Sequence, residues 1–470
     1  LGTGGRRYDG GDYGGNKMKA YPEYVASPLP WLSEIPSHWE LVRNKNIFQE
    51  VKNVVGENAD AYSLLSLTTR GIILRDVASG KGKFPKDFNT YKIVKHGDMV
   101  FCLFDIDETP RTVGLSDYDG MLTGAYTIFH VSNVNPRFAY YYYLSLDNVK
   151  AMRPLYSGLR KTINVGTFLG TKLPVPPRPE QDQIVRFLDW KVSGIHKLIN
   201  IKRNEIKELD ALKRSMISHA TTHGLTSNVP MKFSGIKWLG DIPAHWQIIK
   251  LRQILHPVSV KNSPELPLLS VVREQGVILR NIEDMESNHN FIPDDLSGYK
   301  VVKKGQFAMN KMKAWQGSYG ISDYTGIVSP AYFIFDVAFG NLEYFHYAIR
   351  SKVYVNFFAQ ASDGIRIGQW DLQMDKMKEI PFIVPPADEQ TAIVEYIRRT
   401  LPKYDIVIEK LTEEVDVLEE YKAKLISDTV TGKIDVRGIE IPEYEFMDEE
   451  PYTEDSSEVE TKGQEEFFGE

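Results

Sequence analysis

Cys102 is the one cysteine among 470 residues, which excludes an internal disulfide framework, fits a reducing compartment and leaves no cysteine cluster for zinc. Long apolar runs are missing too. No uninterrupted stretch approaches the ~20 residues that span a bilayer, so no membrane partner is expected and a cytoplasmic location is. Catalytic signatures are equally scarce. The chain holds no Gly-x-x-x-x-Gly-Lys-[Ser/Thr] loop, no Gly-x-Ser-x-Gly elbow, no His-Glu-x-x-His pair and no Asn-Pro-Pro-Tyr-type motif of an amino-methyltransferase. These absences favour a binding role over chemistry.

Charge of one sign is short only in part of the chain. The formal net charge is −7, from 56 Lys and Arg against 63 Asp and Glu, but residues 439–470 hold 13 of the acids and one Lys. The remainder therefore carries 55 bases against 50 acids, a balance of +5. An acidic tail of this kind reads as disordered and solvating. At the other end, residues 1–17 are Gly-rich and read as a non-native or disordered leader, with Met18-Lys19-Ala20 resembling a native start.

What the chain does have is an internal duplication. Trp31-Leu32-Ser33-Glu34-Ile35-Pro36-Ser37-His38-Trp39 returns 207 positions later as Trp238-Leu239-Gly240-Asp241-Ile242-Pro243-Ala244-His245-Trp246. Further matches keep their order: Tyr91-Lys92-Ile93-Val94-Lys95 with Tyr299-Lys300-Val301-Val302-Lys303, and Val175-Pro176-Pro177 plus Glu180-Gln181 with Val384-Pro385-Pro386 plus Glu389-Gln390. A period near 200 residues makes each copy a domain with its connector rather than a solenoid repeat. His38 and His245, set between apolar residues in matched turns, read as structural.

The end of each copy is helical by its spacing. Leu188, Ile195, Lys202, Leu209 and Met216 recur every seven residues with Val192, Ile199 and Ile206 between them, and Ile397, Tyr404, Leu411, Leu418 and Leu425 do the same with Leu401, Ile408 and Val415. A helix of about 40 residues would extend roughly 60 Å, so each seam is expected to pack on the other copy's helix, antiparallel, with Lys202 setting register. Pro402 should kink or loosen the second helix. The globular units, about 30–175 and 238–383, should each be α/β, with matched strands at 125–131 and 331–337 and buried helices at Tyr140-Tyr141-Tyr142-Tyr143 and Tyr344-Phe345-His346-Tyr347. Asp294 and Asp295 read as a turn rather than a nuclease carboxylate pair.

Basic residues with interleaved aromatics mark candidate DNA contacts. In copy one these are Arg70 and Arg75, then Lys81, Lys83 and Lys86 near Phe84 and Phe88, then Arg153, Arg160 and Lys161. In copy two they are Arg273, Arg280, Lys303, Lys304, Lys311, Lys313, Gln316 beside Trp315, and Arg366. Phosphate contacts would position each unit, and a few long donors reaching major-groove edges would specify sequence.

Taken in combination, the Trp-Leu-x-[Glu/Asp]-Ile-Pro-x-His-Trp turns, Ser157-Gly158-Leu159-Arg160 and Ser362-Asp363-Gly364-Ile365-Arg366, the Pro-Pro-x-x-Glu-Gln helix openings and the closing turns Thr222-His223-Gly224-Leu225 and Thr431-Gly432-Lys433-Ile434 resemble the specificity subunits of Type I restriction-modification systems. Lys311-Met312-Lys313-Ala314-Trp315-Gln316-Gly317-Ser318 is similar to a target recognition domain segment; copy one departs there with Phe101-Cys102-Leu103-Phe104-Asp105-Ile106-Asp107.

The resemblance implies an α/β fold with two tandem target recognition domains and two long helices forming an antiparallel coiled coil. The expected layout is a leader (1–17), recognition domain 1 (18–177), long helix 1 (178–222), recognition domain 2 (223–386), long helix 2 (387–431) and an acidic disordered tail (432–470). It further implies a non-catalytic subunit whose domains each read half of a split site in double-stranded DNA. The helices would act as a ruler and dock two modification subunits, and restriction subunits would complete the complex. S-adenosylmethionine and ATP would belong to those partners, with no cofactor or metal on this chain. The rival readings are a stand-alone or fused restriction enzyme and a coiled-coil scaffold without sequence preference.

Overall fold

In the computed structural model, which describes residues 12–13, 16–17, 19–75, 88–158, 161–237, 239–280, 293, 295–366 and 369–448, the chain divides into two compact units. Unit 1 is residues 1–204 with 411–470, and unit 2 is residues 205–410. The units cut across the expected consecutive blocks, because each takes one globular region together with half of each long helix. A two-residue pairing, Asp12–Tyr13 with Asn16–Lys17, falls within the expected leader.

The same sheet is built twice. In unit 1 the strands β1 (Phe48–Val51), β2 (Met99–Phe101), β3 (Val113–Leu115) and β4 (Thr127–Val131) lie in the order β3-β2-β4-β1. In unit 2, β5 (Leu255–Val258), β6 (Phe307–Asn310), β7 (Tyr319–Ile321) and β8 (Tyr332–Val337) lie in the order β7-β6-β8-β5. The strands expected at 125–131 and 331–337 are β4 and β8. Every pairing in both sheets is antiparallel. The units therefore mix helix and strand without the parallel βαβ crossovers that a strict α/β label implies. The physical reason is the short connection from β2 to β3, since parallel neighbours need a crossover of a dozen or more residues.

Aromatic rings fill the space behind each sheet. Phe101 contacts Tyr143 and Phe168 at 5.2 and 4.9 Å between ring centroids, and Phe129 stacks on Phe168 at 5.2 Å. The tyrosine run sits on helix α1 (Pro136–Asn148), which opens with Pro at its first turn and with Asn135 accepting from the N–H groups of Arg137 and Phe138. Tyr141, Tyr142 and Tyr143 are all buried, so this helix is covered nearly all round. In unit 2, Tyr344 and Phe345 are buried on a shorter helix, Leu342–Ile349, followed by a second at Lys352–Gln360. Tyr319 meets Phe358 at 4.5 Å in the same core.

The heptad spacing yields two long helices, α2 (Arg178–His223, 46 residues) and α3 (Ala387–Val430, 44 residues). Within unit 1 they run antiparallel: His196 faces Lys422, and further along α2 Lys202 pairs with Glu414, earlier in α3. Leu188, Val192, Ile195 and Ile199 are buried with Val415 and Leu425 in one core. Within unit 2, Lys213 pairs with Asp405, while Met216, Ile217 and Ala220 join the core that holds Ile393, Ile397 and Leu401. Pro402, expected to kink or loosen the second helix, lies inside its helical run at an exposed position.

The repeated motifs meet where each long helix starts. Glu180 is buried and accepts from Trp39 Nε1 at 2.9 Å and Tyr21 OH at 2.6 Å, and its other oxygen pairs with His38 Nε2 at 2.8 Å. In unit 2, Glu389 accepts from Trp246 Nε1 at 2.9 Å and pairs with His245. Both histidines thus have the structural role their setting indicates.

Each tryptophan is also covered by the turn that ends the other copy's helix. A Cβ at Gly224 would lie 3.2 Å from Trp246, and one at Gly432 would lie 3.3 Å from Trp39. Residues 432–448 continue over α2, which corrects the expectation that a disordered tail starts at 432. Ile434 and Val436 are fully buried, Gln183 donates to the carbonyls of Val436 and Ile439, and Asn200 donates to that of Asp448. Their acids hid this in the sequence, because buried side chains and backbone acceptors rather than net charge anchor the segment.

Gly432 has φ +76°, and an added Cβ would stand 2.4 Å from Pro36. Gly432→Ala should lower unfolding stability by about 1–3 kcal/mol. Gly438→Ala, where nothing lies within 4 Å, should stay within about 0.5 kcal/mol. Urea denaturation of the two variants side by side measures the difference.

Candidate nucleic-acid interface

Four of the candidate arginines fall on or at the end of one hairpin in each unit, Arg70 and Arg75 in unit 1 and Arg273 and Arg280 in unit 2. In unit 1, Leu65–Thr68 pairs with Gly71–Leu74, and in unit 2, Leu269–Val272 pairs with Gly276–Leu279. Arg70 lies exposed in the first turn and Arg273 exposed in the second, where it pairs with its neighbour Glu274 at 3.2 Å. Arg75 and Arg280 close the hairpins at their far ends, their N–H groups donating to the carbonyls of Leu64 and Leu268, 2.9 Å in both. The turns differ. Thr69 and Arg70 make a two-residue turn ending at Gly71 (φ +101°), whereas Arg273, Glu274 and Gln275 make a three-residue turn ending at Gly276 (φ +79°). A left-handed residue closes each, which is why glycine recurs there.

A second pair of elements meets beside each sheet. In unit 2 the segment after β6 turns through a short 3-10 helix at Ala314–Gln316, and the hairpin Ser362–Arg366 with Gln369–Leu372 docks on it through Leu372 N–H to Lys311 O at 3.2 Å. Lys311 pairs with Asp371 at 3.2 Å, and Trp315 stacks on Trp370 at 5.4 Å with 27° between planes. Lys313 is exposed and Gln316 half-buried on the same short turn. Arg366 ends a strand of that hairpin; its side chain lies outside the described positions, as does that of Gln369 across the turn.

Unit 1 joins the corresponding elements with the charges exchanged. Here the acid sits on the segment after β2: Asp107 pairs with Lys161 at 3.2 Å and Arg153 at 3.1 Å, and accepts from Tyr156 OH at 3.1 Å. Desolvation alone would raise the Asp107 carboxyl, but hydrogen bonds from Arg153, Lys161 and Tyr156 outweigh it and hold the group below the usual carboxylate range. The Tyr156 phenol is pushed up to about 12 by burial and by that carboxylate. Lys161 is therefore a paired cation. Arg160 lies outside the described residues, as do Lys81, Lys83, Phe84 and Lys86. Phe88 is half-buried and packs edge-on against Tyr91 at 5.0 Å beside a small core with Val55. Asp295 accepts from Ser297 N–H at 2.8 Å, the turn its sequence suggests.

Two residues packed beside the unit 2 hairpin carried no signal in the repeat. Arg350, just past the helix Leu342–Ile349, donates to the backbone carbonyls of Arg273, Glu274 and Tyr319 at 2.8, 2.6 and 2.9 Å. Beside it His346 is mostly buried, and its Nδ1 accepts from Ile321 N–H at 3.2 Å. Burial, then the Arg350 charge, lowers the His346 pKa to about 4. Among the described residues no group of three or more His, Cys, Asp or Glu gathers as a metal site, and no helix is long and apolar enough to cross a membrane.

Each unit carries a cation-bearing hairpin beside a second pair of joined elements, so the chain is of a duplicated class, one unit built twice. The comparisons with known proteins agree. A family model described as the Type I restriction modification DNA specificity domain matches residues 66–208. The type I restriction enzyme MjaVIII specificity subunit of Methanocaldococcus jannaschii is 24% identical over 433 residues, covering 86% of this chain and 95% of that one. The putative MjaX specificity subunit of the same organism is also 24% identical, over 438 residues, covering 86% and 96%. A chain from a structure concerned with complex assembly and conformational transition of the type I R-M system shares the fold, with a TM-score of 0.54 at 12% identity, covering 85% of this chain and 99% of that one. The chain is thus similar over residues 66–208 to the Type I restriction modification DNA specificity domain, and along most of its length to type I specificity subunits.

His346 gives this site a pH signature. Its folded pKa of about 4 lies below the unfolded value near 6.5, so the unfolded state binds the extra proton between those limits. The stability contributed by neutral His346 is full above about pH 6.5 and should be lost as pH falls toward 4. The urea midpoint should drop across that window, and His346→Gln should flatten the drop.

Proposed function

We propose that this chain is the DNA-recognition and assembly subunit of a Type I restriction-modification complex, each unit reading one half of a split site in double-stranded DNA. One observation carries the reading: each unit presents the same hairpin with arginines at its turn and end, while the neighbouring loop pair carries opposite charge polarity in the two copies. A shared frame with divergent contact chemistry suits two different half-sites. Arg70 and Arg273 would sit at the groove, with Lys311, Lys313, Gln316 and Arg366 adding contacts in unit 2 and Arg160 and Lys161 in unit 1. Arg75 and Arg280 would serve from the hairpin ends.

The chain itself is non-catalytic on this reading. Two modification subunits would bring S-adenosylmethionine, and restriction subunits would bring ATP. The long helices, each divided between the units, would dock the modification subunits and set the distance between half-sites. Half-sites read from one face of the duplex sit about one turn apart, roughly 34–36 Å, a distance that paired helices hold better than a flexible linker.

Long-read mapping of methylated DNA from cells expressing this chain with its modification subunit tests the reading. A split adenine-methylated motif should appear only when both are present; a motif produced without this chain would overturn it. Lys313→Ala, removing a phosphate contact, should weaken binding evenly across sequences and reduce the log–log salt slope by about 1. A heptad inserted at matched places in both long helices adds about 10 Å, so the spacer of the methylated motif should lengthen by about three base pairs.

A further inference from the structure

The hairpin turn in unit 2 is one residue longer than its counterpart in unit 1, and a longer exposed loop has more backbone states to choose from. A side chain that discriminates base edges must nevertheless be held to a fraction of an ångström. Arg350 supplies that restraint. Its Nη2 donates to the carbonyls of Arg273 and Glu274, at 2.8 and 2.6 Å, and its Nη1 donates to the carbonyl of Tyr319 at 2.9 Å. Tyr319 opens β7 directly after Ser318, whose N–H donates to Lys313 O at 3.2 Å. One planar guanidinium thus joins the turn bearing Arg273 to the segment bearing Lys313 and Gln316.

The surroundings are shaped to admit the fork. A Cβ at Gly276 would lie 2.4 Å from Arg350 Nη1, and one at Gly320 would lie 3.3 Å from the same atom. Unit 1 solves the same problem from a different place. Arg111, just before β3, reaches the carbonyl of Thr69 through one long contact of 3.4 Å, while its Nη1 is held by Asp147 at 3.2 Å and Asn148 at 2.9 Å. The duplication did not copy the clamp, since Arg111 and Arg350 occupy unrelated positions in the two copies. The shorter turn has the looser clamp and the longer turn the tighter one.

We propose that Arg350 is a positioning residue for sequence readout by unit 2, fixing the 273–275 turn against β7 so that Arg273 meets its base edge in one geometry. This rests on the DNA-recognition reading above. Lysine cannot replace it, because a single ammonium does not span three carbonyls on two elements.

The test is methylation mapping in cells that express the full-length chain with its modification subunit, comparing wild type, Arg350→Lys, Arg350→Gln and Arg273→Ala. Arg350→Lys should relax base preference in one half of the split motif only, the half that Arg273→Ala also relaxes, with discrimination there falling about tenfold. The other half should be unchanged, and the purified variant should melt close to wild type. Arg350→Gln, a smaller neutral donor, should relax the same half. Retention of both halves by both Arg350 variants, or equal decay of both halves, overturns the proposal. Failure of both variants to accumulate as folded protein assigns Arg350 to folding and overturns it as well. A wild-type complex that yields no split motif is a different failure, that of the recognition reading itself.

Discussion

A carboxylate at the start of each long helix is the constraint on which the rest depends. Glu180 is buried with three donors, Trp39, Tyr21 and His38, and Glu389 has two, Trp246 and His245. A buried carboxylate costs several kcal/mol unless its oxygens are satisfied, and charge-assisted bonds of about 1.5–3 kcal/mol each supply that compensation. The consequence is positional. The carboxylate ties the turn before each globular region to the first turn of the helix after it, closing a loop of more than a hundred residues. Tyr21 gives unit 1 the third donor, and burial with the Glu180 contact pushes its phenol well above the usual range.

From that tie follows the exchange of helix ends. Trp39 needs a cover on its free side, and Gly432 at the end of α3 supplies it; Trp246 is covered by Gly224 at the end of α2. Each unit is therefore completed by chain from the other copy's connector. A helix of more than 40 residues could not bury its apolar stripe on its own globular region, so antiparallel pairing with the other long helix within each unit is the packing solution. Residues 432–448 extend the cover in unit 1, with Ile434 and Val436 in the core.

The frame is conservative while the contact chemistry is not. The exchange of polarity between Asp107–Lys161 and Lys311–Asp371 keeps two elements joined in both units yet leaves different side chains around them. The Trp315–Trp370 stack is a feature of unit 2. On the proposed reading, two different half-sites would ask for this combination, because phosphate contacts position a domain while a few groove-facing side chains carry sequence information.

The repeats, the long helices and their seam, the strands at 125–131 and 331–337 and the buried tyrosine helix were all legible from spacing, since periodicity reports directly which side chains must face a core. The partners of those residues were not. That Lys161 is paired, that Arg350 clamps a turn, and that the acid-rich segment 440–448 packs against α2 all depend on contacts between segments far apart in sequence. The sheet's antiparallel order was equally hidden, because it depends on which strands the loops bring together. By itself the sequence determined the duplication, the two helices and the family resemblance, as these are patterns along one dimension. Only the tertiary structure decided which cations lie at an exposed hairpin turn and which are held by a carboxylate on another element, because distance through space sets electrostatic pairing.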